Sequence, residues 1–261
     1  MADAAVKTKN TPDFVQSLAR GLAVIEAFSN ERRELTLSDV AVRTGLTRAT
    51  ARRFLHTLRD LGYVGFDGKY FGLKPRVLCL GYAYLSSMNI AEIAEPFMER
   101  VVSELHESCS ASVLDGSDVV YVVRVPTKRI MTIALTVGSR LPAYATSMGR
   151  VLLASLSPAH LDAYFRAATL KRWTPHTVVD EGEIRRILAE VAKQQYAVLD
   201  QELEEGLRSI AVPIRDYKKQ VVAAINCSTH TNRTSAEDLA TRFLPVLREA
   251  AASISHALSG R

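Results

Sequence analysis

The sequence predicts an α+β protein of two domains, and three observations carry that prediction. The chain has 261 residues, enough for two domains and at least one large hydrophobic core. Residues 16–61 carry apolar side chains at helical spacing, and a short extended hairpin follows them. Further along, short apolar strands separated by turns alternate with amphipathic helices, which favours an antiparallel sheet with helices at its ends.

Two helices are predicted at the start of the first domain. The first covers 16–29, where the residues at helical spacing are Leu18, Leu22, Ile25 and Phe28. Thr36 and Asp39 form a capping pair that opens the second helix, SDVAVRTG. Ala41 and Gly45 are the small residues of a helix-turn-helix, because the next helix crosses close to the first position and the chain turns sharply at the second.

A third helix is predicted over 48–61, with Thr47 as its N-cap. At 100° per residue, one arc of this helix is apolar and is expected to bury Ala51, Phe54, Leu58 and Leu61. The neighbouring arc faces outward and carries Arg48, Arg52, His56 and Arg59. After it, YVGF and KYFGL are extended runs joined by Asp67 and Gly68, a strong hairpin signal. Three helices and a β-hairpin make a winged helix-turn-helix.

The net positive charge of the chain lies entirely in its first 76 residues. Residues 1–76 contain 13 Lys and Arg against 8 Asp and Glu, a net charge of +5, whereas residues 77–261 contain 20 of each. One basic amphipathic helix is usually only a solvated surface. Its coincidence with the small residues, the hairpin and the localised charge favours duplex DNA as the partner.

In such a domain the N-terminal part of the third helix lies in the major groove. Candidates for base or phosphate contacts are Thr47, Arg48, Thr50 and Arg52. Other basic residues are expected to hold phosphates without reading the sequence; they are Arg53, Arg59 and, in the wing, Lys69.

The predicted domain boundaries are a flexible tail at 1–13, the DNA-binding domain at 14–75, a linker helix at 76–90 and a second domain at 91–258. Pro96 is expected to interrupt the helical pattern and so to separate a connector near 76–88 from a helix near 91–107. The connector is rich in apolar residues and is expected to pack against another subunit or the neighbouring domain.

The second domain is expected to contain strands SASVLDG, DVVYVVRV and IMTIALTVG, followed by the helix SMGRVLLASL and another helix at 158–166. The amphipathic helix EGEIRRILAEVAKQQ precedes the strands YAVLDQE, RSIAVPIRD and QVVAAINCS. A long helix at 235–258 closes the chain.

A pocket for a small organic acid is predicted in this second domain. Thr146, Ser147 and Gly149 lie at a helix N-terminus, whose free amides and partial positive charge suit a carboxylate. The polar residues among apolar neighbours on the facing strands are Ser209, Asn226 and Ser228. The ordinary alternative is that Thr146 or Ser147 merely caps the helix.

Further side chains around this pocket have two interpretations each. The arginines that could pair with a ligand carboxylate, or equally with a surface acid, are Arg124, Arg140, Arg150 and Arg208. Tyr144 could line the pocket or pack in the core, and Trp173 could cover the pocket or an oligomer contact.

The sequence excludes most enzyme classes. It contains no G-x-S-x-G, H-E-x-x-H, G-x-x-x-x-G-K-[ST] or G-x-G-x-x-G motif, and its six histidines are scattered. An acidic cluster in a loop is expected to be a solvated rim; it comprises Asp200, Glu202, Glu204 and Glu205.

Three distant cysteines, and no long apolar run or signal peptide, fit a cytoplasmic protein with no metal or membrane partner. A nucleoid-binding protein would need a basic second domain.

Residues 14–258 resemble the IclR-type bacterial transcriptional regulators. The resemblance is carried by SLARGLAVIEAF, LSDVAVRTGLTRATARRFLHTLRDLGYV, VGSRLPAYATSMGRVLLA, and EEGLRSIAVPIRD with AAINCS. It implies a GAF-like effector domain, dimers or tetramers, operator DNA, no cofactor, and a small acidic effector; RNA polymerase is a further candidate partner. The pocket residues it implies are Ser147, Met148, Leu207, Ser209, Asn226 and Ser228.

The sequence LPAYATSMGRVLLA is most similar to those of the family branch that controls protocatechuate and 4-hydroxybenzoate breakdown. That branch implies protocatechuate, 4-hydroxybenzoate or β-ketoadipate as the effector. The alternatives are a regulator of the glyoxylate or acetate type and an enzyme acting on a small acid. At the positions of Ser147 and Met148, family members often have Gly-Ala or Ala-Ser, and at the position of Ser209 they often have Cys. Because Met148 is larger than Ala or Ser, it is expected to change the shape of the pocket.

Overall fold

The computed structural model describes residues 13–29, 32–81, 90–127 and 135–259. The chain divides into two compact units, Met1–Ser87 and Met88–Arg261. The first is hereafter called the DNA-binding unit and the second the effector unit.

The DNA-binding unit has three helices and a small sheet. The helices are α1 (Gln16–Glu26), α2 (Leu37–Thr44) and α3 (Arg48–Asp60). The antiparallel sheet has the strand order β1-β3-β2, with β1 at Glu34–Leu35, β2 at Val64–Phe66 and β3 at Phe71–Leu73. The predicted winged helix-turn-helix is confirmed, and β1 is an additional edge strand that the sequence pattern did not indicate.

Local hydrogen bonds begin and end these helices. Thr36 and Asp39 form a reciprocal capping box at α2, in which the Thr36 amide donates to Asp39 Oδ2 at 2.9 Å. Gly45 ends α2 with a φ of 65°, a left-handed conformation that costs a residue with a side chain far more than glycine. Thr47 then caps α3 by accepting from the Thr50 amide at 3.2 Å. The helix-turn-helix geometry follows from these short-range contacts.

Two details of this unit differ from expectation. Leu61 was expected in the core, but it follows the last turn of α3 and is half exposed, while Leu55 is fully buried in its place. The wing turn is also centred one residue later than expected, on Gly68 and Lys69. Asp67 Oδ1 accepts from the Lys69 and Tyr70 amides at 2.8 and 2.7 Å, and the Asp67 amide donates to the Tyr70 carbonyl at 3.2 Å, so a side chain and a carbonyl together close the turn.

The effector unit is an antiparallel sheet flanked by helices. Its helices are α4 (Ile90–Leu105), α5 (Ser147–Leu153), α6 (Pro158–Ala167), α7 (Glu181–Gln194) and a terminal helix α8 that runs from Ala236–Asp238 through the π-turn Leu239–Phe243 into Leu244–Ser259. Its strands are β4 (Ser108–Asp115), β5 (Asp118–Val125), β6 (Arg140–Pro142), β7 (Ala197–Asp200), β8 (Leu207–Arg215) and β9 (Val221–His230).

The six strands lie in the order β6-β5-β4-β9-β8-β7, all antiparallel, so β4 and β9 form the centre of the sheet. The short helix α5 packs over one face and joins a core with Ala211, Ala224 and the buried side chains of α7. The predicted α+β class with an antiparallel sheet is confirmed.

Pro96 does not interrupt the helical pattern, contrary to the expectation above. It lies inside α4, on the exposed face, where water can satisfy the carbonyl that loses its intrahelical partner. Most of the predicted strand IMTIALTVG lies outside the described residues, and the edge strand is β6 instead. In the linker, Pro75–Val77 form a 3-10 turn and residues 78–81 are helical, while the rest lies outside the described residues.

Candidate effector cavity and DNA-binding helix

One face of α3 is basic and exposed. Among the described residues, Arg48, Arg52 and Arg53 are exposed and form no ion pair with a carboxylate. Arg52 Nε lies 3.4 Å from His56 Nε2. Arg59 pairs with Asp60 at 3.3 Å, and both side chains are solvated, so this ion pair contributes little stability and leaves Arg59 able to exchange partners.

The remaining candidates for DNA contact lie at the start of α3 and in the wing. The hydroxyls of Thr47 and Thr50 are 2.9 Å apart, so each is oriented by the other at the N-terminus of the helix. Lys69 is exposed at the tip of the wing, with Nζ 4.8 Å from the centre of the Tyr70 ring. Backbone hydrogen bonds lower the pKa of Asp67, which keeps one negative charge beside this lysine. The predicted DNA-contacting residues therefore occupy two exposed segments, α3 and the wing tip.

In the effector unit, polar residues lie side by side across the central strands. The sheet register places Arg124 opposite Ser110, and Ser110 opposite Asn226. The same register places Ser209 opposite Ser228. Because side chains alternate between the two faces of a strand, Asn226 and Ser228 project from one face, and their cross-strand partners share it. This face of an otherwise apolar sheet therefore carries a polar strip.

A cavity of about 30 Å³, roughly the volume of one water molecule, separates this strip from the start of α5. The predicted residues that line it are Ser147, Leu207, Ser209, Asn226 and Ser228. Ser209 donates a hydrogen bond to Ser147 Oγ at 3.0 Å and so ties β8 to the first residue of α5. Side chains from separate segments thus converge on one closed space, which must widen to admit a ring.

One group in this cavity has unused hydrogen-bonding capacity, and a second is a buried phenol. Asn226 Nδ2 donates to Ser228 Oγ at 3.1 Å, but Asn226 Oδ1 is buried and accepts no hydrogen bond within the described part of the chain. A buried acceptor without a partner costs about 1–3 kcal/mol. Burial raises the pKa of Tyr121, which also lines the cavity, to about 12, so its phenol stays protonated at neutral pH.

Of the four candidate arginines, three are paired with acids. Arg140 contacts Asp115 at 2.6 Å and Asp118 at 3.2 Å, and Arg208 forms two hydrogen bonds with Asp200, at 3.0 and 2.7 Å. Arg150 pairs with Glu202.

Arg124 is different, because it lines the cavity and has no carboxylate partner among the described residues. Its Nη1 donates to Ser110 Oγ at 3.0 Å, which fixes the guanidinium in the polar strip. Arg124 is therefore the one of the four candidate arginines that lines the cavity without an acid partner within the described ranges.

Met148 and Tyr144 do not line the cavity, and their expected placement is corrected. Met148 is fully buried, and its sulfur accepts from Ser112 Oγ at 3.3 Å. Tyr144 belongs to the core. Its hydroxyl donates to the Lys171 carbonyl at 2.6 Å and accepts from Trp173 Nε1 at 2.9 Å, so Trp173 is hydrogen-bonded to this tyrosine and does not line the cavity.

The N-terminus of α5 is less open than expected. Thr146 Oγ1 accepts from the Gly149 amide at 3.0 Å, so this amide is not free for a ligand, and α5 has only 7 residues. Gly149 is required for a different reason: a Cβ there would overlap the Ala143 carbonyl group. The helix therefore contributes Ser147 to the cavity and a close backbone contact behind it.

Glu202 was expected on a solvated rim, but it is buried. Its Oε2 accepts from Arg150 Nη2 at 2.7 Å and from the Val178 amide at 3.0 Å. Arg150 Nε also donates to the Tyr144 carbonyl at 3.1 Å. This ion pair links α5, the loop after α6 and the loop after β7, and the first and last of these three segments contribute residues to the cavity lining.

Several lining residues were not among the predicted site residues. They are Tyr121, Leu135, Leu141, Ala145, Leu199, Leu203 and Glu204. Tyr121 and Leu199 come from strands whose register relative to β8 and β9 could not be derived from a single sequence.

No group of three or more His, Cys, Asp or Glu within the described ranges could hold a metal ion. Burial raises the pKa of the Cys109 thiol well above its usual value. Cys109 and Cys227 face each other between β4 and β9 as buried free thiols.

No helix of the described residues is both long enough and apolar enough to cross a membrane.

A winged helix-turn-helix with a basic recognition helix, followed by a sheet domain with a closed polar cavity, defines a ligand-sensing regulator. The chain belongs to the IclR family of bacterial transcriptional regulators. Residues 17–68 match the IclR helix-turn-helix domain, and residues 82–256 match the C-terminal domain of the bacterial transcriptional regulator IclR. The family is one of regulators, so this chain is a transcriptional regulator and not an enzyme.

Three individual proteins show how close the similarity is. The chain is 47% identical to the Pca regulon regulatory protein of Pseudomonas putida, over 95% of this chain and 86% of that one. It is 39% identical to the p-hydroxybenzoate hydroxylase transcriptional activator of Acinetobacter baylyi, over 92% and 91% of the two chains. An IclR homologue from Microbacterium hydrocarbonoxydans, whose crystal structure contains 4-hydroxybenzoate, superposes with a TM-score of 0.83 at 30% identity, over 93% and 99%.

Proposed function

We propose that this regulator controls an operon for the breakdown of aromatic acids, and that a hydroxylated benzoate in the effector cavity alters operator binding by α3 and the wing. The part of this proposal that concerns the ligand rests on Arg124, which lines the cavity and has no carboxylate partner among the described residues. The names of the P. putida and A. baylyi relatives and the 4-hydroxybenzoate complex support the same class of ligand.

Arg124 supplies the carboxylate contact. A guanidinium and a carboxylate form charge-assisted hydrogen bonds, which are about twice as strong as neutral ones. Glu202 lines the same cavity but is neutralised by Arg150, and Glu204 is the remaining acid in the lining. The carboxylate of the ligand therefore belongs at the Arg124 end of the cavity, and the acidic loop suits the uncharged end of the ligand.

Asn226 supplies the second contact. Its buried Oδ1 needs a donor, and a phenolic hydroxyl on the ligand would provide one. This requirement favours 4-hydroxybenzoate and protocatechuate over β-ketoadipate, which carries no hydroxyl and adds a second carboxylate. Leu141, Leu203 and Leu207 provide apolar contacts for the ring.

The DNA-binding unit is proposed to act as a dimer or a higher oligomer. An apolar groove of about 420 Å³ runs between α1 and α3 and includes Leu18, Leu22, Leu61 and Leu80, which are 45–63% exposed. Contiguous exposed apolar residues of this size are unusual on a free surface. We propose that a second copy of the unit packs on this groove, since a dimer presents two α3 helices to the two half-sites of a palindromic operator.

Replacing Arg52 with alanine is expected to weaken operator binding by about 1–3 kcal/mol, because an exposed guanidinium on the recognition helix is lost. Fluorescence anisotropy with an operator identified by footprinting measures the effect. The salt dependence tests the mechanism, since each lost phosphate contact lowers the slope of log K against log salt by about 0.9.

The matched control is Arg166→Ala, which removes one positive charge from an exposed position of α6 in the effector unit. Its operator affinity is expected to equal that of the wild type. Equal affinities for the Arg52→Ala and Arg166→Ala variants at moderate salt would remove α3 from the DNA interface. Unchanged circular dichroism of both variants excludes unfolding as the cause.

A further inference from the structure

The effector unit contains a second, larger cleft on the side of α5 away from its first residue. It measures about 470 Å³, within the range of about 300–1,000 Å³ of small-molecule sites, whereas the effector cavity is nearly closed. Most of its lining is polar, and the apolar side chains that contribute to it include Val151, Leu156, Val191, Pro213 and Val221. The ends of α5 and α7, the start of α6 and the β8–β9 turn form its walls.

The rim of this cleft is basic. Arg215, Lys219 and His160 line it, and no aspartate or glutamate does. Within the described part of the chain, neither Arg215 nor Lys219 forms an ion pair. The nearest acid along the chain, Asp216, accepts from the Lys218 and Gln220 amides at 2.9 Å and holds the turn rather than a cation.

Arg215 is held in place by neutral acceptors. Its Nη1 donates to the Lys219 carbonyl at 2.7 Å, and its Nη2 donates to Gln195 Oε1. Its own amide donates to Ser255 Oγ at 2.9 Å, which anchors this point of β8 to α8. The guanidinium is therefore oriented, and no carboxylate of the described residues pairs with its charge.

We infer that this cleft binds a small organic anion at a site distinct from the effector cavity. The anionic head group, a carboxylate or a phosphate, contacts Arg215 and Lys219, and an apolar part of the ligand contacts Leu156, Pro213 and Val221. An oriented cation without a counterion gains more from an anion than a solvated one does, because its orientation is already fixed.

The two sites share three structural elements. Helix α5 starts with Ser147 at the effector cavity and has Val151 at the cleft. Strand β8 contributes Ser209 to the cavity and Pro213 to the cleft, and β9 contributes Asn226 and Val221 in the same way. An anion in the cleft therefore contacts α5, β8 and β9 at residues other than those that line the effector cavity.

Methyl NMR of the full-length protein labelled at valine and leucine tests this inference. Val191 and Val221 report on the cleft, and Leu203 and Leu207 report on the effector cavity. Benzoate and inorganic phosphate are titrated separately, so that the preferred head group and the need for an apolar body are distinguished. A saturable shift of the valine signals is expected with at least one of them.

The charge requirement is tested with three single variants. Lys219→Gln and Arg215→Gln are each expected to weaken binding at the cleft about tenfold, which corresponds to one charge-assisted hydrogen bond. Lys218→Gln is the matched control, since Lys218 is exposed in the same turn but does not line the cleft. Its affinity is expected to equal that of the wild type.

Two results would overturn the inference. One is the absence of a saturable shift at Val191 and Val221 with both probes. The other is equal affinity for the anion in the Lys219→Gln and Lys218→Gln variants. That result would mean that the positive charge of the turn, and not a contact with Lys219 in the cleft, determines the affinity. Lys219 is exposed, so its variant is expected to fold normally even if Arg215→Gln does not. Neither result bears on the effector cavity, because the leucine signals are read independently.

Discussion

Replacing Arg150 with methionine is expected to lower the free energy of unfolding of the effector unit by about 3–5 kcal/mol. The Arg150 and Glu202 side chains are only 3% and 9% exposed, and their closest atoms are 2.7 Å apart. Methionine fills a similar volume but leaves the Glu202 carboxylate in the protein interior, where the Val178 amide is its one remaining donor among the described residues. A buried charge that has lost its counterion costs far more than the pair contributes.

Urea denaturation followed by circular dichroism measures this change. The matched control is Arg186→Met, which breaks an ion pair with Glu183 whose side chains are 67% and 42% exposed. That variant is expected to lose less than about 1 kcal/mol. Adding Glu202→Leu to Arg150→Met should restore much of the lost stability. Equal losses at Arg150 and Arg186, or no recovery in the double variant, would contradict the assignment of this pair as a buried anchor.

Replacing Ser147 with leucine is expected to lower effector affinity at least about 100-fold, while operator binding without effector stays within about twofold of the wild type. Ser147 is buried, lines a cavity of about 30 Å³ and accepts a hydrogen bond from Ser209 at 3.0 Å. A leucine at this position occupies the space that the aromatic ring needs. It also removes the acceptor for Ser209. Isothermal titration with 4-hydroxybenzoate and protocatechuate measures the loss.

Overpacking at Ser147 costs stability of about 1–3 kcal/mol, so a smaller change is needed alongside it. Ser147→Ala keeps the space and removes only the hydroxyl, and a weaker loss of affinity is expected. Ser103→Leu, an exposed change on α4, controls for the added bulk. Normal effector affinity in a folded Ser147→Leu protein would place the effector elsewhere, with the cleft at Arg215 as the next site to examine.

The DNA-binding unit was largely predictable from the sequence because short-range chemistry determines it. The capping pair of Thr36 and Asp39, the left-handed Gly45 and the Thr47 cap all lie within four residues of their partners. Where tertiary packing decides, the same reasoning was less accurate. Leu61 fits the apolar arc of α3 by spacing, yet the helix ends one residue earlier and the side chain remains half exposed.

The effector cavity was only partly predictable. Ser209, Asn226 and Ser228 were found from polar residues within apolar strands, a pattern that is local to each strand. The partners of Arg124, Arg150 and Glu202 depend on register and on contacts 14 to 52 residues apart, which no local pattern encodes. Met148 and Tyr144 are close to Ser147 in sequence but do not line the cavity, because Met148 is buried on α5 against Ser112 and Tyr144 lies in the 3-10 turn before the helix.

The central claim is that an aromatic acid in the effector cavity changes the affinity of the DNA-binding unit for its operator. The most direct measurement is operator affinity by fluorescence anisotropy, with and without saturating 4-hydroxybenzoate, protocatechuate or β-ketoadipate, for the wild type and for Arg124→Gln. We expect a hydroxybenzoate to shift the wild-type Kd by about 5- to 150-fold, and Arg124→Gln to bind the operator normally but to lose the shift. An operator Kd that is the same with and without all three acids, or a shift that persists in Arg124→Gln, would contradict the claim.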